Sequence, residues 1–592
     1  MNREKIEECY KWDLSSIFSS REDLYEEMNQ VKEKLTEFDK YKDIQYDEDS
    51  LYEVLKLYME VSRRISKLEV YVSLLCDEDT SINKNRELKE EVDNLSSEFI
   101  KRTYFIEPNI LKLDKEEVDK LIDKNEKLEE YKRYIDKMFR YKEHTLSDSE
   151  EKLLAELSKT FGNNYETYEL MKDSDMVFPN FVVDYEDYEL DNSKYSIYIE
   201  DDNREVRKAA FEDMYETFKQ YKNVYGNLIT ANIKEEVAIS KIKKYKSALE
   251  AAMYHDELDT RIYDNLIATI NERMNVLHKY YELKKKVLGV SELHLYDVYA
   301  NLINEDRKEY DFESSKETVL EALSILGEEY TSIVKKGIQD RWIDVYPNRG
   351  KRTGGYSSGS YDTNPYVLLN YQDKYDDMST LAHELGHSMH SYYTRHNNPY
   401  QYGHYSIFVA EVASTVNELI LAKHVIKNSN NKNEKMFILN RLMELFRATI
   451  YRQTMFAEFE KKIYQMIEED KPVSADILSD EYYKLNEIYF GKEVYIDDYI
   501  RYEWERIPHF YYNFYVYKYA TGLSAACYIV NGLLDGTIKK EDYISFLKCG
   551  DSKSPLESLK LAGVDLSKPE VVEKATEMFA ETIHEFEELY FS

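Results

Sequence analysis

The sequence predicts a large, mainly α-helical protein. Only 9 Pro and 17 Gly interrupt the 592 residues, too few for the closely spaced turns of a β-sandwich or barrel. Hydrophobic residues make up 43% of the chain, which is enough for a sizeable core although 33% of the residues are charged. Apolar residues recur with a helical period in the segment 51–71: Leu51, Val54, Leu55, Tyr58, Val61, Ile65 and Leu68. We therefore expect amphipathic helices through most of the chain.

The charge balance and the cysteines restrict the class of protein. A formal net charge of −35 repels phosphate backbones, so we expect no nucleic-acid partner. The four cysteines are scattered without a CxxC pair, which indicates free thiols in a reducing compartment: Cys9, Cys76, Cys527 and Cys549. The chain also lacks an N-terminal apolar signal and any apolar stretch of the ~18 residues that a membrane helix needs. These features predict a cytoplasmic protein without a membrane partner.

The helical pattern is interrupted once on a large scale. Residues 174–202 are irregular, and a helical pattern resumes at Asn203. We place a boundary there, with an N-terminal helical region at 1–200 and a second domain, which carries the chemistry described below, at 201–592.

The amino-acid composition changes near the middle of the second domain. Four glycines fall close together: Gly350, Gly354, Gly355 and Gly359. Residues 366–371 then have the composition of a short strand, and residues 376–379 offer N-cap side chains for a new helix. This order predicts a place where backbone approaches another group closely. The alternative is a mobile surface hairpin.

The new helix carries a His-Glu-x-x-His motif. His383 and His387 are four residues apart and therefore project from one face, where they can share a tetrahedral metal ion. Glu384 lies beside the metal position, where a general base takes a proton from a metal-activated water. His390 continues this face, and we interpret it as a packing residue or a support for the ligands.

Two histidines and a water leave one tetrahedral position for a protein ligand. Residues 405–422 predict a buried helix that contains two acids, Glu411 and Glu418, and a carboxylate there is costly unless it is paired or coordinated. The two acids are roughly 10 Å apart along a helix, so both cannot bind one ion. We favour Glu411 as the third ligand, because small residues around it let two helices approach, and Glu418 as a supporting or ion-pairing residue.

The chain resembles the M3 family of metallopeptidases, specifically the oligoendopeptidase F branch. Five matches carry the resemblance: 247–254, the loop 350–356 with the segment 365–371, His383–His387, 410–418 and 508–522. The resemblance implies a mainly α, large and prolate helical zincin fold with a small β-sheet beside a deep active-site channel. It also implies one catalytic zinc per chain and short peptides as substrates.

The resemblance also implies a role for the Tyr-rich segment 508–522. In the family a His and one or more Tyr of this region stabilise the tetrahedral transition state, as hydrogen-bond donors do. The candidates are His509, Tyr512, Tyr515, Tyr517 and Tyr519. A straight helix puts three of them on one face (His509, Tyr512 and Tyr519), whereas a bent segment makes Tyr515 equally suitable.

The sequence therefore predicts a zinc metalloendopeptidase that hydrolyses internal bonds of short peptides with Glu384 as general base. Two alternatives stay open. A zinc carboxypeptidase or dipeptidase needs a cation for a terminal carboxylate, and Lys351, Arg501 and Arg506 are available. A non-catalytic helical peptide-binding scaffold is disfavoured by the intact motif. The oligomeric state stays open.

Overall fold

The structure is a computed structural model that describes residues 2–158, 160–303 and 308–592. It is mainly helical, which confirms the predicted fold class. The α-helices in chain order are α1 (Arg21–Leu35), α2 (Glu48–Glu78), α3 (Asn83–Thr103), α4 (Ile106–Leu111), α5 (Lys115–Lys124), α6 (Lys132–Arg140), α7 (Asp148–Ser158), α8 (Asn163–Leu170), α9 (Asn192–Tyr198), α10 (Arg204–Ile242), α11 (Ala248–His255), α12 (Arg261–Glu272), α13 (Met274–Leu288), α14 (Phe312–Ala322), α15 (Glu328–Gln339), α16 (Tyr375–Asn397), α17 (Ile407–Asn428), α18 (Lys432–Leu445), α19 (Arg452–Glu468), α20 (Ala475–Phe490), α21 (Tyr517–Asp535), α22 (Lys540–Cys549), α23 (Pro555–Leu561) and α24 (Glu570–Phe591). Within the described ranges no helix has the length and apolar character needed to cross a membrane.

The strands are short and form three small sheets. In chain order they are β1 (Phe181–Val183), β2 (Glu186–Tyr188), β3 (Leu293–His294), β4 (Ile343–Asp344), β5 (Tyr356–Ser358), β6 (Tyr366–Leu368) and β7 (Val494–Tyr495). β1 and β2 form an antiparallel hairpin, and β3 pairs with β7 in parallel. The third sheet has the order β4-β6-β5, with β4 parallel and β5 antiparallel to β6. The predicted strand at 366–371 is confirmed at its first three residues.

The chain folds into two compact units, and each is built from three segments. The first unit comprises Met1–Glu143, Lys308–Leu421 and Ile529–Gly563, and the second comprises His144–Arg307, Ala422–Tyr528 and Val564–Ser592. These packing units divide the chain at other places than residue 200. The domain boundary at that residue therefore stays a prediction.

The core of the first unit joins the N-terminal helices to the mixed sheet. The apolar face of α2 is buried as its period predicts, and the same core includes Tyr366 and Leu368 of β6. Trp12 packs edge-on against the ring of Tyr366, with 6.2 Å between the ring centroids. The Tyr366 hydroxyl donates a hydrogen bond to the carbonyl oxygen of Asp13 (2.9 Å). The N-terminal segment thus supports the sheet that lies beside helix α16.

Helix α16 begins one residue before the predicted cap. The side chain of Asp377 accepts hydrogen bonds from the backbone N–H groups of Lys374 (3.0 Å) and Gln372 (2.9 Å). It thereby satisfies donors at the start of the helix, where a negative charge is favourable. Leu381, Leu385 and Met389 are buried on one face of α16, as their spacing predicts.

In the second unit, α10 is a helix of 39 residues that begins after the N-cap Asn203, as predicted. Helix α19 packs beside the irregular stretch that leads to α21. This stretch contains two 3₁₀ segments, Asp498–Arg506 and Pro508–Tyr511. It carries the predicted cluster of His and Tyr side chains, so its shape decides which of them come together.

Candidate active site

Three side-chain atoms from α16 and α17 converge at one point of the first unit. Nε2 of His383 and Nε2 of His387 are 3.1 Å apart, and Oε2 of Glu411 lies 3.5 and 3.6 Å from them. The ligand atoms of a tetrahedral zinc site, at about 2.0–2.1 Å from the ion, are separated by about 3.3–3.4 Å. Among the described residues these are the only three His, Cys, Asp or Glu side chains that form such a group. Their spacing fits a metal ion.

Glu418 approaches the opposite side of the His383 ring. Its Oε1 accepts a short hydrogen bond from Nδ1 of His383. This bond holds a proton on Nδ1, so Nε2 is the atom that faces a metal ion, and such carboxylate–histidine pairs orient ligands in metal sites. The imidazole of His383 therefore lies between the two acids, with Glu411 on the Nε2 side and Glu418 on the Nδ1 side.

The electrostatics of this group favour a bound cation. Burial lowers the pKa of His383, but the hydrogen bond and charge of Glu418, together with the other two carboxylates, outweigh it and raise the pKa to about 9. Burial and the positive charge of His383 lower the pKa of His387 to about 4. The three carboxylates thus favour a positive charge at this site. Without a metal ion, only His383 of the two imidazoles carries a proton there. A bound divalent cation supplies the same positive charge beside the carboxylates.

The close packing of α16 against α17 brings these residues together. A Cβ atom on Gly386 would lie 2.5 Å from Cα of Ser414 and 2.6 Å from the carbonyl oxygen of Ala413. The missing side chain therefore permits the helix contact. Asn417 fastens it, because its Nδ2 donates to the carbonyl oxygen of Ala382 (3.0 Å). The glycine inside the motif is a packing requirement that the sequence reading did not single out.

The exposure of Glu411 differs from the sequence expectation. The segment was expected to bury both acids, but the Glu411 side chain is 48% exposed, and that of Glu418 is 27% exposed. Glu411 faces the open side of the helix pair, where a ligand can enter. The apolar composition of α17 reflects its other faces, which pack in the core.

Glu384 lies beside strand β5 and is hydrogen-bonded to its backbone at Ser357. It is 6% exposed, and burial raises its pKa to about 7, while the His383 charge and a hydrogen bond from the backbone N–H of Ser357 lower it. Its Oε2 has no hydrogen-bond partner among the described residues. A Cβ on Gly355 would lie 3.6 Å from Oε1 of Glu384. The glycine-rich loop thus approaches another group closely, as predicted, and that group is Glu384.

His390 is a packing residue, which is one of the two roles that the sequence predicted for it. Its ring stacks on Tyr405 with 3.7 Å between centroids and an interplanar angle of 3°. Burial lowers the pKa of His390 to about 3, so the ring is neutral. It takes no part in the group of three ligand atoms.

The segment after Pro508 is bent rather than helical. Asn513 and Phe514 both have positive φ angles, 47° and 58°, between the 3₁₀ turn Pro508–Tyr511 and the start of α21. This bend brings four of the five candidates into one cluster, which we call the aromatic cluster: His509, Tyr512, Tyr515 and Tyr519. It is the bent alternative, not the straight helical face, that the structure contains.

The members of the aromatic cluster contact each other through ring edges and one polar contact. The ring centroids of His509 and Tyr512 are 5.5 Å apart, and those of Tyr515 and Tyr519 are 5.4 Å apart. The Tyr519 hydroxyl is 3.4 Å from Nε2 of His509. Burial and the charge of Arg452 lower the pKa of His509, so its ring is neutral at pH 7.

The fifth candidate, Tyr517, lies elsewhere. It is 1% exposed and packs against the ring of Tyr263, with 5.1 Å between centroids. A donor to substrate needs an accessible hydroxyl, so the structure gives Tyr517 a packing role and corrects its place among the catalytic candidates. After the bend at 513–514 the chain directs Val516 and Tyr517 into the core.

Sequence reasoning missed three residues that arrange the site. Ser357 donates a backbone hydrogen bond to Glu384, Gly386 permits the helix contact, and Asn417 fastens it. The adjacent pair Gly354–Gly355 was a usable signal for the first, because it marked the strand that approaches the motif helix. Nothing in a single sequence distinguishes Asn417 from other polar residues on a helix.

Comparison with known proteins is consistent with this geometry. The family model "Peptidase family M3" matches residues 197–578, and a second model, "Oligopeptidase F", matches residues 109–178. Oligopeptidase PepF of Bacillus subtilis is 41% identical over 591 residues, which cover 99% of this chain and 88% of that protein. Group B oligopeptidase PepB of Streptococcus agalactiae is 38% identical over 596 residues, covering 99% and 98%.

Solved structures give the same relationship. A putative peptidase from Chlamydophila abortus superposes with a TM-score of 0.93 at 33% identity, covering 99% of both chains. Oligoendopeptidase-F from Enterococcus faecium superposes with a TM-score of 0.73 at 31% identity, covering 96% of this chain and 99% of that one. The matching family model, the full-length relatives and the His-Glu-x-x-His geometry lead to one conclusion: the chain belongs to peptidase family M3, a family of metallopeptidases.

Proposed function

We propose that this chain is a zinc-dependent endopeptidase that hydrolyses internal peptide bonds of short oligopeptides. The observation that carries the proposal is the convergence of His383, His387 and Glu411 directly beside a buried acid, Glu384. The relatives whose names describe oligopeptidases and oligoendopeptidases support short peptides as the substrate class.

Zinc is the metal that this donor set fits best. Two imidazole nitrogens and one carboxylate oxygen are the ligands of a familiar class of catalytic zinc site, which keeps a fourth position open. A zinc ion bound there supplies Lewis-acid activation of the scissile carbonyl group and lowers the pKa of a water molecule in the site. Glu418 contributes by holding His383 in the ligand tautomer.

Glu384 acts as the general base. Its unpartnered Oε2 accepts the proton of the attacking water and then delivers it to the nitrogen of the leaving amine. The backbone N–H of Ser357 holds the carboxylate in place for both transfers. A base whose pKa lies near the operating pH is efficient in both directions, which burial provides here.

The aromatic cluster supplies hydrogen-bond donors for the tetrahedral transition state. Tyr512 is 41% exposed, and its hydroxyl lies 2.7 Å from that of Tyr165. A phenolic hydroxyl donates to a developing oxyanion without carrying a charge, and donors of this kind act on the transition state more than on the substrate. His509, Tyr515 and Tyr519 are the other donors that we assign to this role.

The carboxypeptidase alternative gains no support from its three candidate cations. Lys351 is buried in an ion pair with Asp344 (2.7 Å), and Arg501 pairs with Asp480 (3.1 Å). The guanidinium group of Arg506 lies over the ring of Tyr195, 5.1 Å from its centroid. Each cation already has a partner, so none is free to anchor a terminal carboxylate.

The four cysteines are free, as predicted, which supports a cytoplasmic location for the enzyme. This location and the short-peptide substrate class belong to one proposal, because a cytoplasmic enzyme meets peptides rather than secreted proteins.

The test uses the purified chain and a peptide library in two forms, one with free termini and one with acetylated and amidated termini. We expect cleavage of internal bonds in both forms, inhibition by a chelator, and restoration by about one zinc per chain. Products that arise only from free C-termini contradict the endopeptidase assignment and favour the carboxypeptidase. Intact peptides in a zinc-loaded sample contradict both.

A further inference from the structure

The turn that shapes the aromatic cluster has an unfavourable backbone conformation. Asn513 and Phe514 are consecutive residues with left-handed φ angles of 47° and 58°. Residues with a Cβ rarely adopt this region, and Phe is a bulky residue that adopts it less readily than Asn. Such a turn persists only where surrounding groups determine it, and outliers of this kind concentrate at functional sites.

Two side chains of helix α19 hold the turn. Oε1 of Glu460 accepts a hydrogen bond from the backbone N–H of Phe514 (2.7 Å). The hydroxyl of Tyr464 donates to Oδ1 of Asn513 (2.7 Å). Glu460 and Tyr464 are four residues apart and therefore lie on one face of α19. Each of the two unusual residues thus has its own partner on one rigid element.

The same helix packs against both flanks of the turn. The ring of Phe459 lies 5.1 Å from that of Phe510, before the turn, and the ring of Tyr464 lies 4.3 Å from that of Phe514. These rings face inward, and both Phe residues are buried. His509 directly precedes Phe510, and the three tyrosines of the aromatic cluster lie between and after the two Phe residues. Helix α19 therefore fixes the direction in which the cluster points.

Glu460 is an unusual choice for a purely structural position. It is 2% exposed, and its second oxygen, Oε2, has no hydrogen-bond partner among the described residues. Burial raises the pKa of Glu460 to about 8, so the group is neutral at pH 7 although the Phe514 N–H opposes the shift. A half-satisfied buried acid is costly, and an apolar residue of the same size packs there more cheaply. Its one hydrogen bond, to the turn, is the feature that an apolar residue cannot replace.

We propose that Glu460 is a positioning residue, which holds the turn at Asn513–Phe514 and so presents His509 and the tyrosines of the aromatic cluster to the substrate. This inference rests on the proposed function, because the direction of the aromatic cluster matters only if the cluster meets a peptide. Glu460 itself touches no reacting atom. It acts through the backbone of Phe514.

The test compares two substitutions in the full-length, zinc-loaded chain. Glu460→Gln keeps a carbonyl acceptor for the Phe514 N–H and is nearly isosteric with the neutral acid. Glu460→Leu has similar bulk but accepts no hydrogen bond. We measure kcat and KM on one internally quenched peptide, together with the zinc content and Tm.

We expect Glu460→Leu to lower kcat by on the order of 10–100-fold with KM changed little, because misplacement of donors by about 1 Å costs this much. Glu460→Gln should stay within about threefold of the parent, and both variants should bind zinc as the parent does. Equal losses in both variants, or no loss in either, overturn the proposal. A loss that is explained by a lowered zinc content also counts against it.

A second arm does not depend on activity and serves if Glu460→Leu folds poorly. Hydrogen exchange is followed in the peptide that contains Phe514, in the parent, in Glu460→Gln and in Tyr464→Phe. Tyr464→Phe removes only a hydroxyl, so we expect faster exchange at the turn and a smaller loss of kcat than for Glu460→Leu. Unchanged exchange at the turn in Tyr464→Phe contradicts the anchoring of the turn by α19, whatever the kcat of this variant.

The outcomes separate this inference from the proposed function. A parent that cleaves peptides while Glu460→Leu keeps its kcat contradicts only the positioning role. A zinc-loaded parent that cleaves no peptide contradicts the proposed function, and the positioning role falls with it, whatever the exchange measurement shows.

Discussion

The metal-binding group and the aromatic cluster are built on different kinds of backbone. His383, Glu384 and His387 project from a regular helix, and the third ligand, Glu411, comes from a second regular helix that packs closely against it. The aromatic cluster lies on a 3₁₀ turn, two left-handed residues and the start of α21. The position of the first group follows from helix geometry. The position of the second depends on hydrogen bonds and ring contacts supplied by another helix.

This difference indicates how each site responds to substitutions around it. A side chain on a long helix keeps its position when one neighbour changes, because many backbone hydrogen bonds fix the helix. A side chain on a strained turn moves when a single contact is lost, because the backbone has a lower-energy alternative. We therefore expect substitutions near the metal group to act through chemistry and metal binding. Substitutions near the aromatic cluster should act through position.

The largest effect is expected for Glu384→Gln. The amide keeps the shape of the side chain but cannot take a proton, so kcat should fall by about 10²–10⁴ while zinc content and Tm stay close to those of the parent. Metal analysis, a thermal melt and peptide hydrolysis check this. Full turnover in a zinc-replete variant would show that the base lies elsewhere.

The two acids of α17 give a matched comparison. Glu411→Ala removes a ligand and should release the metal, with loss of activity beyond what residual zinc explains. Glu418→Ala removes only the hydrogen bond to His383 and should retain most of the metal at saturating zinc, with an affinity weaker by about 10–100-fold. Zinc titration with a competing chelator measures both. The reverse order of affinities would exchange the two roles.

The aromatic cluster offers a comparison between neighbours in sequence. Single Phe replacements at Tyr512, Tyr515 and Tyr519, and His509→Ala, each remove one donor. The replacement at the true oxyanion donor should lower kcat by about 10²–10³ with little change in KM. Tyr517→Phe is the control, because its ring packs in the core, and it should change Tm rather than kcat. If none of the four lowers kcat more than the control does, the cluster is structural.

The smallest effect is expected at the contact between α16 and α17. Gly386→Ala places a methyl group 2.5 Å from Cα of Ser414, so one helix must move. Overpacking of this kind costs about 1–3 kcal/mol of stability and should weaken zinc binding, because Glu411 moves with α17. Thermal melts and zinc titration measure the change. Neutral behaviour in both would mean that the helix pair is softer than its packing indicates.

Much of the metal-binding group could be predicted from the sequence, because helix periodicity converts spacing into direction. His383, Glu384 and His387 needed only a helix, which the pattern around Leu381 and Leu385 supplied. The distance between two helical turns excluded a joint role for Glu411 and Glu418, and the small residues beside Glu411 favoured it as the ligand. The mainly helical fold class followed in the same way from composition and period.

The rest was decided by tertiary structure, because it depends on contacts between residues far apart in the chain. The bend at Asn513–Phe514 depends on Glu460 and Tyr464, about 50 residues earlier, and it brings Tyr515 and Tyr519 together with His509 and Tyr512. The exposure of Glu411 depends on which face of α17 meets α16. The local sequence pattern predicts neither the bend nor the exposure of Glu411. Residues with a Cβ disfavour left-handed φ angles, so a turn that contains them is stable only through contacts with its neighbours.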